Sequence, residues 1–438
     1  MTLATPITVI RGRFLDIQKT VSQATEIADQ VRYIEDGVLI TEQGKIRWFG
    51  TWDTAQDHLP TDVEIQHYPE QLIIPGMIDT HIHFPQTEMV GAYGEQLLSW
   101  LNTYTFPTEI QFKDKAYATE IAQFFVQELL KNGTTTGLVF CTVHAESVDA
   151  LFEAAEQHQM RLIAGKVMMD RHAPEALCDT AESAYDDSKA LIEKWHGQGR
   201  ALYAITPRFA PTSTPEQLEK AGQLKAEFPD VYVHTHLSEN KDEIAWVKDL
   251  FPAQKGYLDV YHHYGLTGQR SVFAHCVHLE DAEWKCMHET DSAIAFCPTS
   301  NLFLGSGLFP LNKTWQQQVK VGLGTDIGAG TSFSLLQTVN EAYKVQQLQG
   351  DKLSAFESLY HATLGGAKAL DLDDKLGNFN IGKEADFVVL NLQATALQQL
   401  RQSRSKSIDD SLFALFTMGD DRNIEATYIY GQKAYSAN

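Results

Sequence analysis

The chain has the length, composition and charge of an acidic globular protein. Its 438 residues can hold one large domain and a smaller one, and a hydrophobic content of 43% supplies a full core. A formal net charge of −22 repels a polyanion such as DNA, so no nucleic-acid partner is expected and a small neutral ligand is favoured.

The amino-terminal segment, MTLATPITVIRGRFLDI, has no basic region followed by a long apolar core and a cleavage site, so no export signal is predicted. No stretch of the chain approaches the apolar length needed to span a bilayer, so no membrane partner is expected. The five cysteines are scattered, odd in number and without a CxxC pair, which favours reduced thiols. Together these features predict a cytoplasmic location.

Both ends of the chain alternate apolar and polar residues between turn signals. ITVIRGRFLDI, VRYIEDGVLITEQGKIRWFG and VEIQHYPEQ show this pattern near the start, and LGNFNIGKEADFVVLN and ATYIYGQKAYS show it near the end. Such alternation is typical of half-buried strands. Neither end can bury much surface alone, so residues 1–72 and 371–438 are expected to combine into one small β-sandwich domain.

Residues 73–370 follow a different rhythm, in which short apolar runs alternate with helical patterns. Apolar side chains at three- and four-residue spacing, as in YATEIAQFFVQELLKNG, predict amphipathic helices, and Thr214 before Pro215 predicts a helix start. Strand and helix repeated eight times indicate an α/β fold of the (β/α)8, TIM-like barrel type. The eight predicted strands are 73–83, 135–141, 162–168, 202–208, 231–237, 271–277, 293–297 and 321–325.

The first predicted barrel strand ends in a His-x-His pair, His81 and His83. Residues two apart on a strand project from the same face, so both imidazoles can bind one ion. A single His-x-His motif is weak evidence for a metal site, but further candidate ligands, His236, His275 and Asp326, lie at later strand ends. Active sites of such barrels form at the carboxyl ends of the strands. Histidines and a carboxylate around an open coordination position therefore predict a hydrolytic metal centre.

Three further groups accompany this set. Glu239 follows His236 where a strand gives way to a helix, and it suits a general acid and base better than a mere first-turn glutamate. His234 shares a strand face with His236, so spacing alone leaves open which of the two binds the metal. Arg208 ends the fourth strand, where its fork can hold a carbonyl oxygen and a ring nitrogen of a planar heterocycle.

At these positions the chain resembles the guanine deaminases of the amidohydrolase superfamily. PGMIDTHIHFPQ resembles the metal motif of that family, and TEMVGAYGEQLLSWLNTYTFPTE resembles its characteristic segment. PRF is similar to the substrate-binding turn, HLSEN to the motif with a metal histidine and the catalytic glutamate, and GLGTDIGAG to the motif with the aspartate. The resemblance covers nearly the whole chain, and the combination of motifs is far more specific than the His-x-His pair.

The resemblance implies hydrolysis of guanine to xanthine and ammonia in purine catabolism, by a homodimer. It implies one Zn²⁺ per chain, with Fe²⁺ possible, and it favours His236 over His234 as ligand. The implied metal ligands are His81, His83, His236 and Asp326. The implied catalytic residues are Glu239, His275 and Asp326. The implied substrate contacts are His83, Gln86, Trp100, Arg208, Phe209, His236, Glu239, His275 and Asp326.

Two alternative functions are open at this point. A related aminohydrolase could act on another ring, such as 8-oxoguanine, a triazine or an adenosine derivative, and its pocket would lack the pair Gln86 and Arg208. A non-catalytic scaffold of the same fold would have lost metal ligands, whereas this sequence keeps the whole set.

Overall fold

The computed structural model describes residues 7–61, 63–93 and 96–437. The strands in these ranges are β1 (Ile7–Ile17), β2 (Val31–Glu42), β3 (Lys45–Thr51), β4 (Ile65–Pro75), β5 (Met77–His83), β6 (Thr134–Phe140), β7 (Arg161–Gly165), β8 (Val167–Met168), β9 (Leu202–Pro207), β10 (Tyr232–Leu237), β11 (Ser271–His275), β12 (Ala293–Phe296), β13 (Lys320–Leu323), β14 (Phe387–Leu390), β15 (Ile424–Ile429) and β16 (Gln432–Ser436).

The α-helices in the same ranges are α1 (Trp52–Ala55), α2 (Leu97–Trp100), α3 (Phe106–Glu109), α4 (Lys115–Lys131), α5 (Ala145–Glu156), α6 (Ala181–Trp195), α7 (Pro215–Glu227), α8 (Lys241–Leu250), α9 (Tyr257–His263), α10 (Asp281–Glu289), α11 (Pro298–Phe303), α12 (Leu311–Gln317), α13 (Leu335–Leu348), α14 (Ala355–Ala362), α15 (Leu364–Ala369), α16 (Ala396–Gln402) and α17 (Ile408–Met418). A π-helical turn, Leu101–Thr105, joins α2 to α3. In the described ranges, no helix is long and apolar enough to cross a membrane.

The central part of the chain forms a parallel barrel. Strands β5, β6, β7, β9, β10, β11, β12 and β13 lie side by side in chain order, and the short β8 pairs with β9. The first and last strands are joined by Thr80, whose hydroxyl donates to the carbonyl oxygen of Leu323 at 3.0 Å. The backbone N–H of Asp326 also donates to the carbonyl oxygen of His81 at 2.9 Å. The predicted (β/α)8 fold is confirmed.

Strands from both ends of the chain share one sheet, in the order β16-β15-β14-β4-β1-β2-β3. Strand β4 pairs in parallel with β1 and antiparallel with β14, so the two ends of the chain meet there. Apolar clusters pack against the sheet, and in one of them the rings of Phe387 and Tyr428 stack with centroids 4.3 Å apart. The predicted small β domain built from both ends is confirmed, while the divisions at 72 and 370 stay predictions.

The predicted first barrel strand, 73–83, is wrong as a single element. It divides at Gly76, because residues up to Pro75 pair within the terminal sheet and Met77 begins the barrel. A Cβ at position 76 would lie 2.0 Å from the hydroxyl oxygen of Thr135, so only glycine fits where the chain passes from one sheet to the other. Both strands are apolar and buried here, which is why the sequence pattern shows no break.

Six of the other predicted strands are found within a few residues of their predicted bounds, and the seventh, 162–168, is divided into β7 and the short β8. The predicted helix start at Thr214 is also confirmed, since its hydroxyl accepts a hydrogen bond from the backbone N–H of Gln217 at 3.2 Å. This regularity matters for function because it brings the carboxyl ends of β5, β10, β11 and β13 to the same mouth of the barrel.

Candidate metal centre and substrate pocket

The four predicted metal ligands meet at the carboxyl-terminal mouth of the barrel. His81 and His83 end β5, His236 lies in β10, and Asp326 follows β13 by three residues. The Nε2 atom of His83 lies 3.2 Å from Nε2 of His236 and 3.4 Å from Oδ1 of Asp326. The same Oδ1 lies 3.2 Å from Nε2 of His81. His81, His83 and Asp326 are buried, and His236 is partly buried.

These separations fit a tetrahedrally coordinated cation. With metal–nitrogen bonds of about 2.0–2.1 Å, two ligand atoms of a tetrahedron lie about 3.3–3.4 Å apart. Among the residues that the structure describes, no hydrogen-bond partner satisfies the buried Nε2 of His81. Such a set of nitrogen and carboxylate donors, crowded around one point with a ring nitrogen left unpaired, suits a divalent transition metal.

The protonation of the histidines supports metal binding. Burial lowers the pKa of His81, His83 and His236 well below the usual value, and neighbouring imidazoles act in the same direction. The rings are therefore neutral near pH 7, which is the form that binds metals. Nδ1 of His236 lies 2.7 Å from the carbonyl oxygen of Arg208, so this nitrogen carries the proton and Nε2 keeps its lone pair for the ion.

His234, the competing candidate on β10, lies behind the cluster. Its Nε2 is 2.7 Å from Nδ1 of His81, the nitrogen on the far side of that ring from Asp326. A hydrogen bond at this position orients the ring of His81. The geometry therefore favours His236 as the ligand and gives His234 a supporting position.

Glu239 and His275, the predicted proton-transfer pair, lie beside the cluster. Nε2 of His275 lies 3.5 Å from Oε2 of Glu239 and 3.8 Å from Oδ2 of Asp326. The hydroxyl of Ser306 donates to Oε1 of Glu239 at 2.9 Å, and Nδ1 of His275 donates to the side-chain oxygen of Asn301 at 2.9 Å. These contacts fix both groups with their reactive atoms turned toward each other.

The same environment shifts the pKa of both groups upward. Burial raises the pKa of Glu239, the imidazole of His275 opposes the rise, and the carboxylate of Asp326 adds to it. Burial lowers the pKa of His275, but Glu239 and Asp326 raise it by more, so it ends above its usual value. A carboxyl with a raised pKa next to such an imidazole is suited to general acid–base catalysis.

The backbone around these groups is held in strained conformations. His275 has a φ of 69° and Asp326 a φ of 51°, both in the left-handed region that non-glycine residues rarely adopt. Gly330 closes the turn that presents Asp326, since a Cβ there would lie 1.8 Å from the carbonyl oxygen of Thr325. Strain of this kind clusters at functional sites, where the surrounding structure maintains it.

A pocket opens directly onto the cluster of predicted metal ligands. The nine predicted substrate contacts all line it: His83, Gln86, Trp100, Arg208, Phe209, His236, Glu239, His275 and Asp326. The residues that line it and were not predicted are Leu97, Leu101, Thr105, Glu243, Leu304 and Ala329. The helical segment with the π turn contributes Leu97, Trp100, Leu101 and Thr105, and π turns are often found at functional sites.

Three polar residues near the site were missed by the sequence reasoning. Glu109 is completely buried and binds both Gln86 and Arg208. The buried hydroxyl of Thr105 has no hydrogen-bond partner among the described residues, and Thr105 lines the pocket. Asp79 accepts from the backbone N–H of His81 at 3.1 Å, and burial raises its pKa to about 7. Glu109 has no local sequence signal, because its partners Gln86 and Arg208 are distant in sequence.

Comparison with known proteins identifies the family of the chain. A model of the amidohydrolase family matches residues 72–434, most of its length. The chain belongs to the amidohydrolase family. It is 63% identical to the guanine deaminase of Escherichia coli (strain K12) over 98% of each chain. It is 36% identical to the guanine deaminase of Mus musculus over 84% of each chain.

Solved structures of amidohydrolase-fold proteins agree with this placement. The structure of E. coli guanine deaminase matches with a TM-score of 0.96 and 60% identity, covering 99% of this chain and 100% of that one. A guanine deaminase from C. acetobutylicum with bound guanine in the active site matches with a TM-score of 0.88 and 30% identity, covering 98% and 100%. An adenosine deaminase from Xanthomonas campestris with bound zinc, at 23% identity and a TM-score of 0.85, shares the fold.

Proposed function

We propose that this protein is a guanine deaminase, a hydrolase of the C–N bond of a cyclic amidine that converts guanine and water to xanthine and ammonia. One observation carries the proposal: a single pocket opens onto the cluster of His81, His83, His236 and Asp326 and is lined by Glu239, His275 and Arg208. A related aminohydrolase that acts on another heterocycle is expected to have a pocket without the pair Gln86 and Arg208. This pocket is lined by both residues.

The proposed cofactor is one zinc ion per chain, held by His81, His83, His236 and Asp326. A zinc ion bound there would lower the pKa of a water molecule and make it a nucleophile near neutral pH. Iron(II) is the alternative ion, because imidazole and carboxylate ligands also suit it.

Glu239 and His275 handle the protons in the proposed reaction. Glu239 donates a proton to N3 of guanine, which makes C2 more electrophilic and so favours attack by water. His275 and Asp326, with reactive atoms 3.8 Å apart, hold the proton that the attacking water releases. The leaving amine then receives that proton and departs as ammonia. The hydroxyl left on C2 returns its proton to Glu239 and becomes the C2 carbonyl of xanthine. The raised pKa of Glu239 fits its role, because a buried carboxyl keeps its proton more readily.

The other residues of the pocket bind and orient the purine. Arg208 donates hydrogen bonds to the carbonyl oxygen at C6, and Gln86 binds the neighbouring edge. The backbone of Phe209 contributes a further polar contact, and Trp100 forms an apolar wall. This arrangement fixes C2 toward the metal ligands.

The setting of the enzyme belongs to the same proposal: purine catabolism, in the cytoplasm, as a homodimer. Burial raises the pKa of Cys141, Cys276 and Cys297, so these thiols stay protonated as core residues. The proposed homodimer predicts a mass of about twice the 49.1 kDa of one chain, which light scattering measures.

The proposed specificity predicts rapid deamination of guanine and almost none of adenine. Adenine carries an amine at C6, and a guanidinium can donate hydrogen bonds but accepts none. The mismatch of buried polar groups should lower kcat/KM for adenine by about 10⁴-fold or more relative to guanine. Comparable kcat/KM values for the two bases in wild-type protein would reject this pocket assignment.

Arg208→Lys tests the residue behind this preference. Lysine keeps a positive charge beside Glu109 but loses the planar fork, so kcat/KM for guanine should fall by about 100-fold with the metal content unchanged. Arg270→Lys is the matched control, since Arg270 lies outside the pocket and should retain wild-type kinetics. An Arg208→Lys variant with wild-type kinetics would remove Arg208 from the binding site.

A further inference from the structure

Glu109 joins the two polar residues that the proposed function assigns to the purine. Nη1 of Arg208 donates to Oε1 of Glu109 at 3.0 Å and to Oε2 at 2.8 Å. Nε2 of Gln86 donates to the same Oε1 at 3.2 Å. The relative exposures are 0% for Glu109, 2% for Arg208 and 4% for Gln86, so water cannot substitute for these bonds. Glu109 does not line the pocket itself, and it acts through its two partners.

The carboxylate determines which end of the Gln86 side chain faces the pocket. An ionised carboxylate only accepts hydrogen bonds, whereas a glutamine amide has a donor end and an acceptor end. Because Nε2 of Gln86 is turned to Glu109, the carbonyl end, Oε1, is left for the pocket that Gln86 lines. Glu109 thus selects one of the two amide orientations, a choice that the shape of the side chain alone does not make.

The same helical turn also fixes Arg208. The ring of Phe106 lies 5.7 Å from the guanidinium carbon of Arg208, one turn before Glu109. Within the described ranges, the side chain of Arg208 donates its hydrogen bonds to Glu109, and both of them come from Nη1. The donors on Nε and Nη2 therefore remain for a ligand in the pocket that Arg208 lines.

We infer that Glu109 is a positioning residue that sets the hydrogen-bond polarity of the substrate pocket: an acceptor from Gln86 beside donors from Arg208. This pattern complements the edge of guanine on which N1–H donates and the C6 carbonyl accepts. The inference rests on the proposed function, because it concerns how the same pocket tells guanine from purines with the opposite pattern.

2-Aminopurine is the probe that separates this role from a structural one. It carries the same amine at C2 as guanine, but its N1 accepts hydrogen bonds and it has no carbonyl at C6. A pocket with fixed polarity should prefer guanine over 2-aminopurine by about 10⁴-fold in kcat/KM.

Glu109→Gln keeps the size of the side chain but removes its charge and adds a donor end. The new amide cannot accept from Gln86 and Arg208 on both atoms, so Gln86 becomes free to present either end to the pocket. The kcat/KM for guanine should fall by about 100-fold or more, while that for 2-aminopurine should change by less than about threefold. The ratio between the two substrates therefore collapses, with metal content unchanged.

Glu357→Gln is the matched control. Glu357 is a buried glutamate, like Glu109, and lies outside the pocket. It accepts a hydrogen bond from Nε1 of Trp315 at 2.9 Å. This variant should keep the wild-type ratio. If Glu109→Gln lowers the two kcat/KM values by the same factor, or leaves them unchanged, the inference is overturned and guanine deamination by the wild type still stands. Wild-type protein that does not deaminate guanine would instead reject the proposed function.

Gln86→Met provides a second variant for the case in which Glu109→Gln does not fold. It removes the amide that reads N1–H and leaves the ion pair of Glu109 and Arg208 in place. The guanine to 2-aminopurine ratio should again fall by about 100-fold or more. A wild-type ratio in this variant would overturn the inference, because the acceptor end of Gln86 would then have no part in recognition.

Discussion

Replacing His83 with alanine is expected to remove the bound metal and to abolish deaminase activity. Nε2 of His83 lies 3.2 Å from the nitrogen of His236 and 3.4 Å from the carboxylate oxygen of Asp326, so it is central to the ligand set. Elemental analysis after dialysis should give about one zinc or iron per chain for the wild type and close to none for the variant. The fold should survive, because His83 lies at the mouth of the barrel and not in its core.

His361→Ala is the control for this experiment. His361 is buried as deeply as His83, at 2% relative exposure, but lies outside the pocket, so its loss should leave the metal content at about one ion per chain. A folded His83→Ala protein that keeps a full metal ion would show that His83 is not a ligand.

Glu239→Gln is expected to keep the metal and still bind guanine while losing turnover. The glutamine preserves the shape of the side chain and can still accept from Ser306, but it cannot give up a proton to N3 of the ring. The kcat should fall by at least the roughly 10²–10⁴-fold that a lost general acid–base costs. The measurements are single-turnover kinetics, guanine binding by calorimetry and metal content.

Two outcomes would contradict this role. Loss of the metal would make Glu239 a ligand, and wild-type turnover would exclude it from proton transfer. Glu357→Gln again serves as the matched control, since this buried glutamate lies outside the pocket and should leave both quantities unchanged.

The barrel could be predicted from the sequence because its strands and helices have local signatures. Buried parallel strands give short continuous apolar runs, and helices packed on one side give three- and four-residue spacing. The candidate ligands could be predicted for a related reason. His81 and His83 are two apart on one strand, and the carboxyl ends of barrel strands meet at one mouth.

Features that depend on residues distant in the sequence could not be predicted from it. The change of sheet at Gly76 follows from a close approach to Thr135, about 60 residues away, and the apolar pattern continues across it. Glu109 has no local signal either, because its importance comes from Gln86 and Arg208, which reach it from two other segments of the chain. The choice between His234 and His236 required the positions of His81 and Asp326.

The most direct measurement of the central claim is the fate of guanine when purified, metal-loaded protein turns it over in water enriched in ¹⁸O. Hydrolytic attack at C2 should release ammonia and xanthine in equal amounts, and mass spectrometry should find one ¹⁸O atom in each xanthine molecule, bound at C2. A chelator that strips the metal should stop both products, and added zinc should restore them. Xanthine without ¹⁸O, or no xanthine at all from folded protein carrying its metal, would contradict the assignment of this site to guanine hydrolysis.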